Sequence, residues 1–174
     1  HQRAVDGRIV GLGAAAGEGD LLGIGVDQSR HRLPGLLHVP VHLGSMQDAV
    51  AFQVANLENW KEGEVILTNH PIAGGTHLPD MTIVTPVFKD GRAIAYVASR
   101  GHHSDIGGIQ PGSMPAFSKH IDEEGAQFVS FKIVKDGVFN EAELTEILMN
   151  QNNEVNPLIT GSRTMTDNIA DFKA

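Results

Sequence analysis

The Asp90-Gly91 pair constrains the fold of this chain more than any other feature of its sequence. It separates two β-rich apolar segments, residues 81–87 and 93–98, and an Asp-Gly pair in that position favours the tight turn of a β-hairpin. A hairpin brings the residues just before its first strand close to those just after its second. We therefore expect the two segments that flank this hairpin to meet at one end of it.

The two flanking segments are rich in histidine, glycine and acidic residues. They read NHPIAGGTHLPD (residues 69–80) and SRGHHSDIGG (residues 99–108). His77 and Asp80 stand three residues apart, so an imidazole and a carboxylate can reach one cation, and His102 is the expected third ligand, with His103 in reserve. Such ligands suit Zn, Mn or Fe(II), and three of them leave positions for water and substrate. The alternative for the His-x-x-Asp pair is a local hydrogen bond.

Three residues near this site are candidates for catalysis. Asp105 and His103 follow the second strand directly, and Asp105 is also suited to orienting a metal ligand through a hydrogen bond. Glu124, in the Glu123-Glu124-Gly125 sequence, is a candidate general base. The alternative for this acidic pair is a solvated turn.

The candidates for substrate binding come from four separate segments, and they are His42, Asn69, Arg100 and Ser113. Arg100 is suited to an anionic group of the substrate, or else to a structural ion pair. Asn69 is also suited to fixing the orientation of a metal ligand. Ser113 lacks the Gly-x-Ser-x-Gly sequence of a serine hydrolase, so we do not expect it to be a nucleophile.

The remaining pattern predicts an α+β fold. Apolar residues recur at helical spacing over residues 46–60, where Ser45 is a possible N-cap, and a short apolar run at 65–67 indicates a buried strand. Downstream, the pattern predicts another strand at residues 127–134. It also predicts one helix after Asn140 and a second helix at residues 164–173. We expect a mixed sheet with a β-hairpin and flanking helices.

Residues 1–36 form a glycine-rich segment that predicts irregular structure, with at most a short strand at 8–12. The run GLGAAAG at 11–17 follows this possible strand, but its last glycine is one residue too far for a dinucleotide-binding motif. We expect a loop there and place the domain proper at residues 37–174. The first residue is His1, and we expect the chain to be a fragment of a longer protein.

Composition excludes several classes of function. The net charge is -8 and the Lys and Arg residues are scattered, so a nucleic-acid partner is not expected. No apolar run is long enough to span a membrane. The absence of cysteine excludes disulfides and thiolate chemistry and agrees with a cytoplasmic location.

Four sequence segments together resemble the hydantoinase B family. They read HVPVHLGSM (residues 38–46), NHPIAGGTHLPD (69–80), RGHHSDIGG (100–108) and PGSMP (111–115). The resemblance covers residues 37–174 and implies that this chain is part of a larger hydantoinase B-like domain. In carboxylase relatives a metal is held by a His-x-x-Asp pair and a later histidine, which implies the ligands His77, Asp80 and His102.

The resemblance also implies an activity and a partner. The family includes ATP-dependent cyclic amidohydrolases that open 5-oxo-L-proline to L-glutamate, hydantoinases, and subunits of acetone and acetophenone carboxylases. A hydantoinase A-like module is expected to use ATP and Mg to activate the small cyclic amide substrate, within a multimeric assembly. The divalent metal is expected in the present domain. A non-catalytic assembly fragment is the alternative from another class.

Overall fold

The computed structural model describes residues 8–12, 24–25, 40–103, 105–110, 115–149 and 165–173. The helices are α1 (Pro40–Asn56), α2 (Glu141–Met149) and α3 (Met165–Lys173). The strands are β1 (Arg8–Leu12), β2 (Ile24–Gly25), β3 (Val65–Thr68), β4 (Asp80–Lys89), β5 (Arg92–His102), β6 (Phe131–Lys135) and β7 (Val138–Phe139). None of the described helices is long and apolar enough to cross a membrane.

The strands form one sheet in the order β2-β1-β5-β4-β3-β6-β7. Every pairing between the described strands is antiparallel. The α+β class is therefore confirmed, whereas the mixed sheet that the sequence predicted is not what the described strands form. Parallel neighbours require a long crossover connection, and the β4-β5 and β6-β7 pairs are joined by turns of two residues.

The central hairpin is the one that the Asp-Gly pair predicts, and it is longer than expected. Asp90 and Gly91 have φ angles of 51° and 76°, which match a type I′ turn with its two central residues at positive φ. Pairing continues from the turn to its far end, where Asp80 lies opposite His102. The segments that flank the hairpin are therefore held side by side by the register of the two strands.

Side chains alternate between two apolar clusters on opposite faces of the sheet. On one face Val84, Tyr96 and Ala98 pack against Met46 and Val50 of α1. The other face carries the larger cluster, in which residues of the sheet pack with α2 and α3; it includes Leu67, Met81, Ile133, Leu144, Leu148, Ile169 and Phe172. Since the sheet is covered on both faces, the continuous apolar run of β3 is buried as the sequence predicted.

The first helix differs most from its prediction. It begins at Pro40 rather than near residue 46 and ends at Asn56 rather than Trp60. Proline is favoured at the first position of a helix because it has no N–H to leave unpaired, and Pro40 occupies that position. Ser45 is thus inside α1 and is not its cap, and His42 belongs to the same helix.

The ends of the chain agree more closely with the pattern. Leu144 N donates to the Asn140 backbone carbonyl at 3.1 Å, so α2 begins where predicted, and α3 covers nearly the whole of the predicted range. The possible strand at 8–12 is present as β1, paired with β5. Residues 13–17, where a nucleotide-binding motif was considered, lie outside the described residues. The predicted domain boundary at residue 37 stays a prediction.

Candidate metal centre

Three potential metal ligands meet at the open end of the hairpin. Asp80 begins β4, His102 ends β5 directly opposite, and His77 lies in the loop before β4. His77 Nε2 is 3.1 Å from His102 Nε2, and His77 Nδ1 is 3.2 Å from Asp80 Oδ2. One ligand atom from each side chain lies within 4.8 Å of the others. The sequence prediction that these residues converge is confirmed; their role as ligands stays a prediction.

The donor atoms fit a divalent cation. If two nitrogens bind the same ion at about 2.1 Å and the N–ion–N angle is roughly a right angle, the nitrogens lie about 3 Å apart. The two Nε2 atoms are separated by a similar distance. Two imidazoles and a carboxylate form a donor set typical of Zn, Mn and Fe(II). Asp80 is buried, His77 is half-buried and His102 is exposed, so the cluster is open to solvent on one side.

The loop that carries His77 is held in a compact shape by local hydrogen bonds. A single turn of 3-10 helix, Pro71–Ala73, is capped by His70, whose Nδ1 accepts from Ile72 N at 3.1 Å. The chain then folds back on itself, and a Cβ at Gly75 would lie 2.1 Å from the Asn69 carbonyl oxygen. Only glycine allows this close approach.

Asn69 ties the same loop to the rest of the protein. Its Nδ2 donates to the carbonyls of Leu78 and Ala126, each at 2.7 Å, and its Oδ1 accepts from Phe128 N at 2.7 Å. The residue is completely buried. Both ends of its amide are used within the protein, and its role in substrate binding stays a prediction. Its supporting role, at Leu78 beside His77, agrees with the alternative that the sequence left open.

Arg100 is a buried cation on the face of the sheet that packs against α1. Its Nε donates to Thr82 Oγ1 at 2.7 Å and its Nη1 donates to Ser45 Oγ at 2.5 Å. Burial lowers the pKa of Arg100, and the nearby carboxylate of Asp80 opposes that change. These contacts favour the structural role over a contact with an anionic substrate, since the side chain joins β4, β5 and α1.

The structure places His103 and Asp105 against α3. The His103 ring is buried and stacks on Phe172 with 4.8 Å between the ring centroids. Asn168 lies between the two residues, with its Oδ1 3.4 Å from His103 Nδ1 and its Nδ2 donating to the Asp105 carbonyl at 3.0 Å. His102, not His103, is the histidine that joins the cluster. The catalytic roles of His103 and Asp105 stay predictions.

The other predicted residues lie in a turn, in α1 or outside the described part. Glu124 accepts from Ser118 Oγ at 3.1 Å within a half-buried turn, which agrees with the structural alternative for this residue. His42 stands in α1 one turn before Ser45, whose hydroxyl contacts Arg100, so its backbone is placed near this end of the sheet. Ser113 lies outside the described residues.

Thr76 is the residue of this site that the sequence did not single out. Its hydroxyl makes a short hydrogen bond to Asp80 Oδ2, and Oγ1 is 3.3 Å from His77 Nδ1. A threonine beside a histidine is too common for its type to indicate a role. What indicates a role for Thr76 is its position four residues before Asp80 in a loop that folds back on itself. That indication requires the loop structure.

Comparison with known proteins shows what this chain is similar to. The sequence matches the model of the hydantoinase B/oxoprolinase family over residues 27–174. It is 56% identical over 137 residues to the 5-oxoprolinase of Dictyostelium discoideum, covering 78% of this chain and 10% of that protein. It is 51% identical over 139 residues to 5-oxoprolinase 1 of Arabidopsis thaliana, covering 79% of this chain and 11% of that protein.

A solved structure shares the fold. The nucleotide-free structure of acetone carboxylase superposes with a TM-score of 0.55 at 23% identity, covering 62% of this chain and 15% of that one. The chain spans about a tenth of the length of the two 5-oxoprolinases that it matches. The long family match and the high identity to both proteins lead to one conclusion: the chain belongs to the hydantoinase B/oxoprolinase family.

Proposed function

We propose that this chain supplies the metal centre of an ATP-dependent cyclic amidohydrolase that opens 5-oxo-L-proline to L-glutamate. The observation that carries the proposal is the cluster of His77, Asp80 and His102 at the end of the hairpin. The names of the two 5-oxoprolinases favour 5-oxo-L-proline over a hydantoin as the substrate.

The chemistry requires water to add to the ring carbonyl carbon and the ring C–N bond to break, which leaves a carboxylate and an amine. A bound divalent cation would polarise the carbonyl and lower the pKa of water. His77, Asp80 and His102 would hold that cation, and the exposed side of His102 would leave access for the ring. Asp105, Glu124 and His103 are the proposed sources of proton transfer, each to be tested by substitution.

ATP and Mg are proposed to act in a hydantoinase A-like module, in a cytoplasmic, multimeric assembly. That module would transfer a phosphoryl group from ATP to the oxygen of the cyclic amide, which releases ADP and makes the ring carbon a better electrophile. Addition of water and cleavage of the C–N bond would then give an acyl phosphate, and a second water would release inorganic phosphate and leave the carboxylate. The small proportion of each relative that this chain covers is consistent with the need for further modules. The chain by itself is therefore expected to bind metal without opening the ring.

Elemental analysis of the purified chain tests the proposal first. The parent should contain close to one metal ion per chain, and a His77→Ala/Asp80→Ala variant should contain none. A His120→Ala/Asp122→Ala variant is the matched control, because it removes an exposed histidine and carboxylate outside the cluster. Circular dichroism establishes that all three proteins are folded. A folded parent without metal, or equal metal in all three, would overturn the metal centre.

Activity assays test the substrate and the alternatives. With the hydantoinase A-like module and ATP added, 5-oxo-L-proline should be opened faster than hydantoin, and the double variant should be inactive while it still binds the module. Faster opening of hydantoin would make the chain a hydantoinase component. Full activity in the double variant would leave only a docking role for this chain.

A further inference from the structure

The hydroxyl of Thr76 contacts both His77 and Asp80, the two potential ligands nearest to it in the sequence. Thr76 Oγ1 makes a short hydrogen bond to Asp80 Oδ2 and lies 3.3 Å from His77 Nδ1. Asp80 Oδ2 and His77 Nδ1 are themselves 3.2 Å apart. Thr76 is half-buried, and it precedes His77 in a loop that the Asn69 hydrogen bonds hold in place. The hydroxyl is thus in contact with two potential ligands at once.

The positions of the hydrogens follow from the chemistry of the three groups. An ionised carboxylate only accepts hydrogen bonds, so the single hydroxyl hydrogen of Thr76 is donated to Asp80. Both oxygens near His77 Nδ1 then present lone pairs to it. A neutral imidazole in this place is stabilised with its hydrogen on Nδ1, which leaves the lone pair on Nε2, the atom that faces His102 Nε2.

We propose that Thr76 is a positioning residue of the metal centre: its hydroxyl holds the Asp80 carboxylate beside the loop and favours the Nδ1–H tautomer of His77, so that the Nε2 lone pair is directed at the cation. This inference rests on the proposed function, since it presumes that the cluster binds metal. Groups that orient metal ligands in this way commonly contribute 10- to 100-fold, roughly, to metal affinity.

Metal affinity distinguishes the hydroxyl from the bulk of the side chain. Thr76→Val removes the hydroxyl and keeps the branched shape, whereas Thr76→Ser keeps the hydroxyl. The Kd for Zn²⁺ alone, measured by competition with a chromophoric chelator, should be about 10-fold or more weaker in Thr76→Val and within about threefold of the parent in Thr76→Ser. Thr85→Val makes the same change within β4, outside the cluster, and should bind like the parent. Equal Kd values in parent and Thr76→Val would overturn the inference.

The tautomer is measured on metal-free protein and supplies a second, independent outcome. Long-range ¹H–¹⁵N spectra identify which ring nitrogen carries the hydrogen, and His77→Gln assigns the signal. The parent and Thr76→Ser should show the Nδ1–H form, and Thr76→Val should show a greater proportion of Nε2–H. A parent with Nε2–H would refute the role of Thr76 even if it binds metal. A parent with Nδ1–H that binds no Zn²⁺ would instead refute the metal centre.

Discussion

Replacing Asn69 by alanine should destabilise the whole protein and release the loop that carries His77. The substitution deletes three hydrogen bonds of 2.7 Å and leaves the carbonyls of Leu78 and Ala126 and the N–H of Phe128 without their partner. A buried polar group left unpaired costs about 1–3 kcal/mol. Part of this cost is relieved by relaxation, so we expect a loss of about 3–5 kcal/mol in the free energy of unfolding.

Urea denaturation followed by circular dichroism measures this loss. Asn56→Ala is the matched control, since Asn56 is exposed and makes one side-chain hydrogen bond, from Nδ2 to the Phe52 carbonyl at 2.8 Å. It should change the unfolding free energy by less than about 1 kcal/mol. Metal affinity should fall in Asn69→Ala, because Leu78 adjoins His77. If Asn69→Ala unfolds within about 1 kcal/mol of the parent, the assignment of Asn69 as a buried tie is refuted.

Three further predictions concern Tyr96, Glu64 and Gly75. Burial raises the pKa of Tyr96, so the stability that this residue contributes is complete below the ordinary tyrosine pKa and is lost as the pH rises through the raised value. Titration of this single tyrosine, followed by absorbance, should have a midpoint above that of free tyrosine. A lower midpoint would contradict the burial. Glu64 is 1% exposed and lies 2.7 Å from Lys132 Nζ. Glu64→Gln should lower the free energy of unfolding, measured by urea denaturation, by about 1–2 kcal/mol, which is less than for a fully buried pair because Lys132 reaches solvent. The surface change Glu62→Gln should have little effect on this energy. Gly75→Ala should lower the Tm by several degrees and weaken metal binding, because the new Cβ would overlap the Asn69 carbonyl oxygen. In the control Gly101→Ala the new Cβ meets no atom within 4 Å, so the Tm should be unchanged.

Local sequence rules account for the part of the fold that positions the site. The turns at Asp90-Gly91 and Asp136-Gly137 each need two residues at positive φ, and Asp-Gly satisfies this requirement without help from the rest of the protein. The first turn starts the pairing of β4 and β5, but a bulge between Val87 and Phe88 then shifts the register by one residue. This shift sets Asp80 opposite His102, where the turn alone would set it opposite Gly101. The approach of the two flanking segments was therefore predictable from the sequence alone, whereas the exact pairing of Asp80 with His102 was not.

Long-range contacts decided the rest. His102 is the last residue of β5 and His103 follows it, and tertiary packing sets the two rings apart: one lies beside His77 and the other stacks on Phe172 of α3. Asn69 and Arg100 have the composition of binding residues, and only the contacts with Ala126, Phe128 and Ser45, which are distant in sequence, show that they are used internally. Residue type and spacing thus determined which groups could bind a metal. Packing of remote segments against the sheet determined which of them face one another, because buried polar groups form hydrogen bonds and those of Asn69 and Arg100 form theirs with such segments.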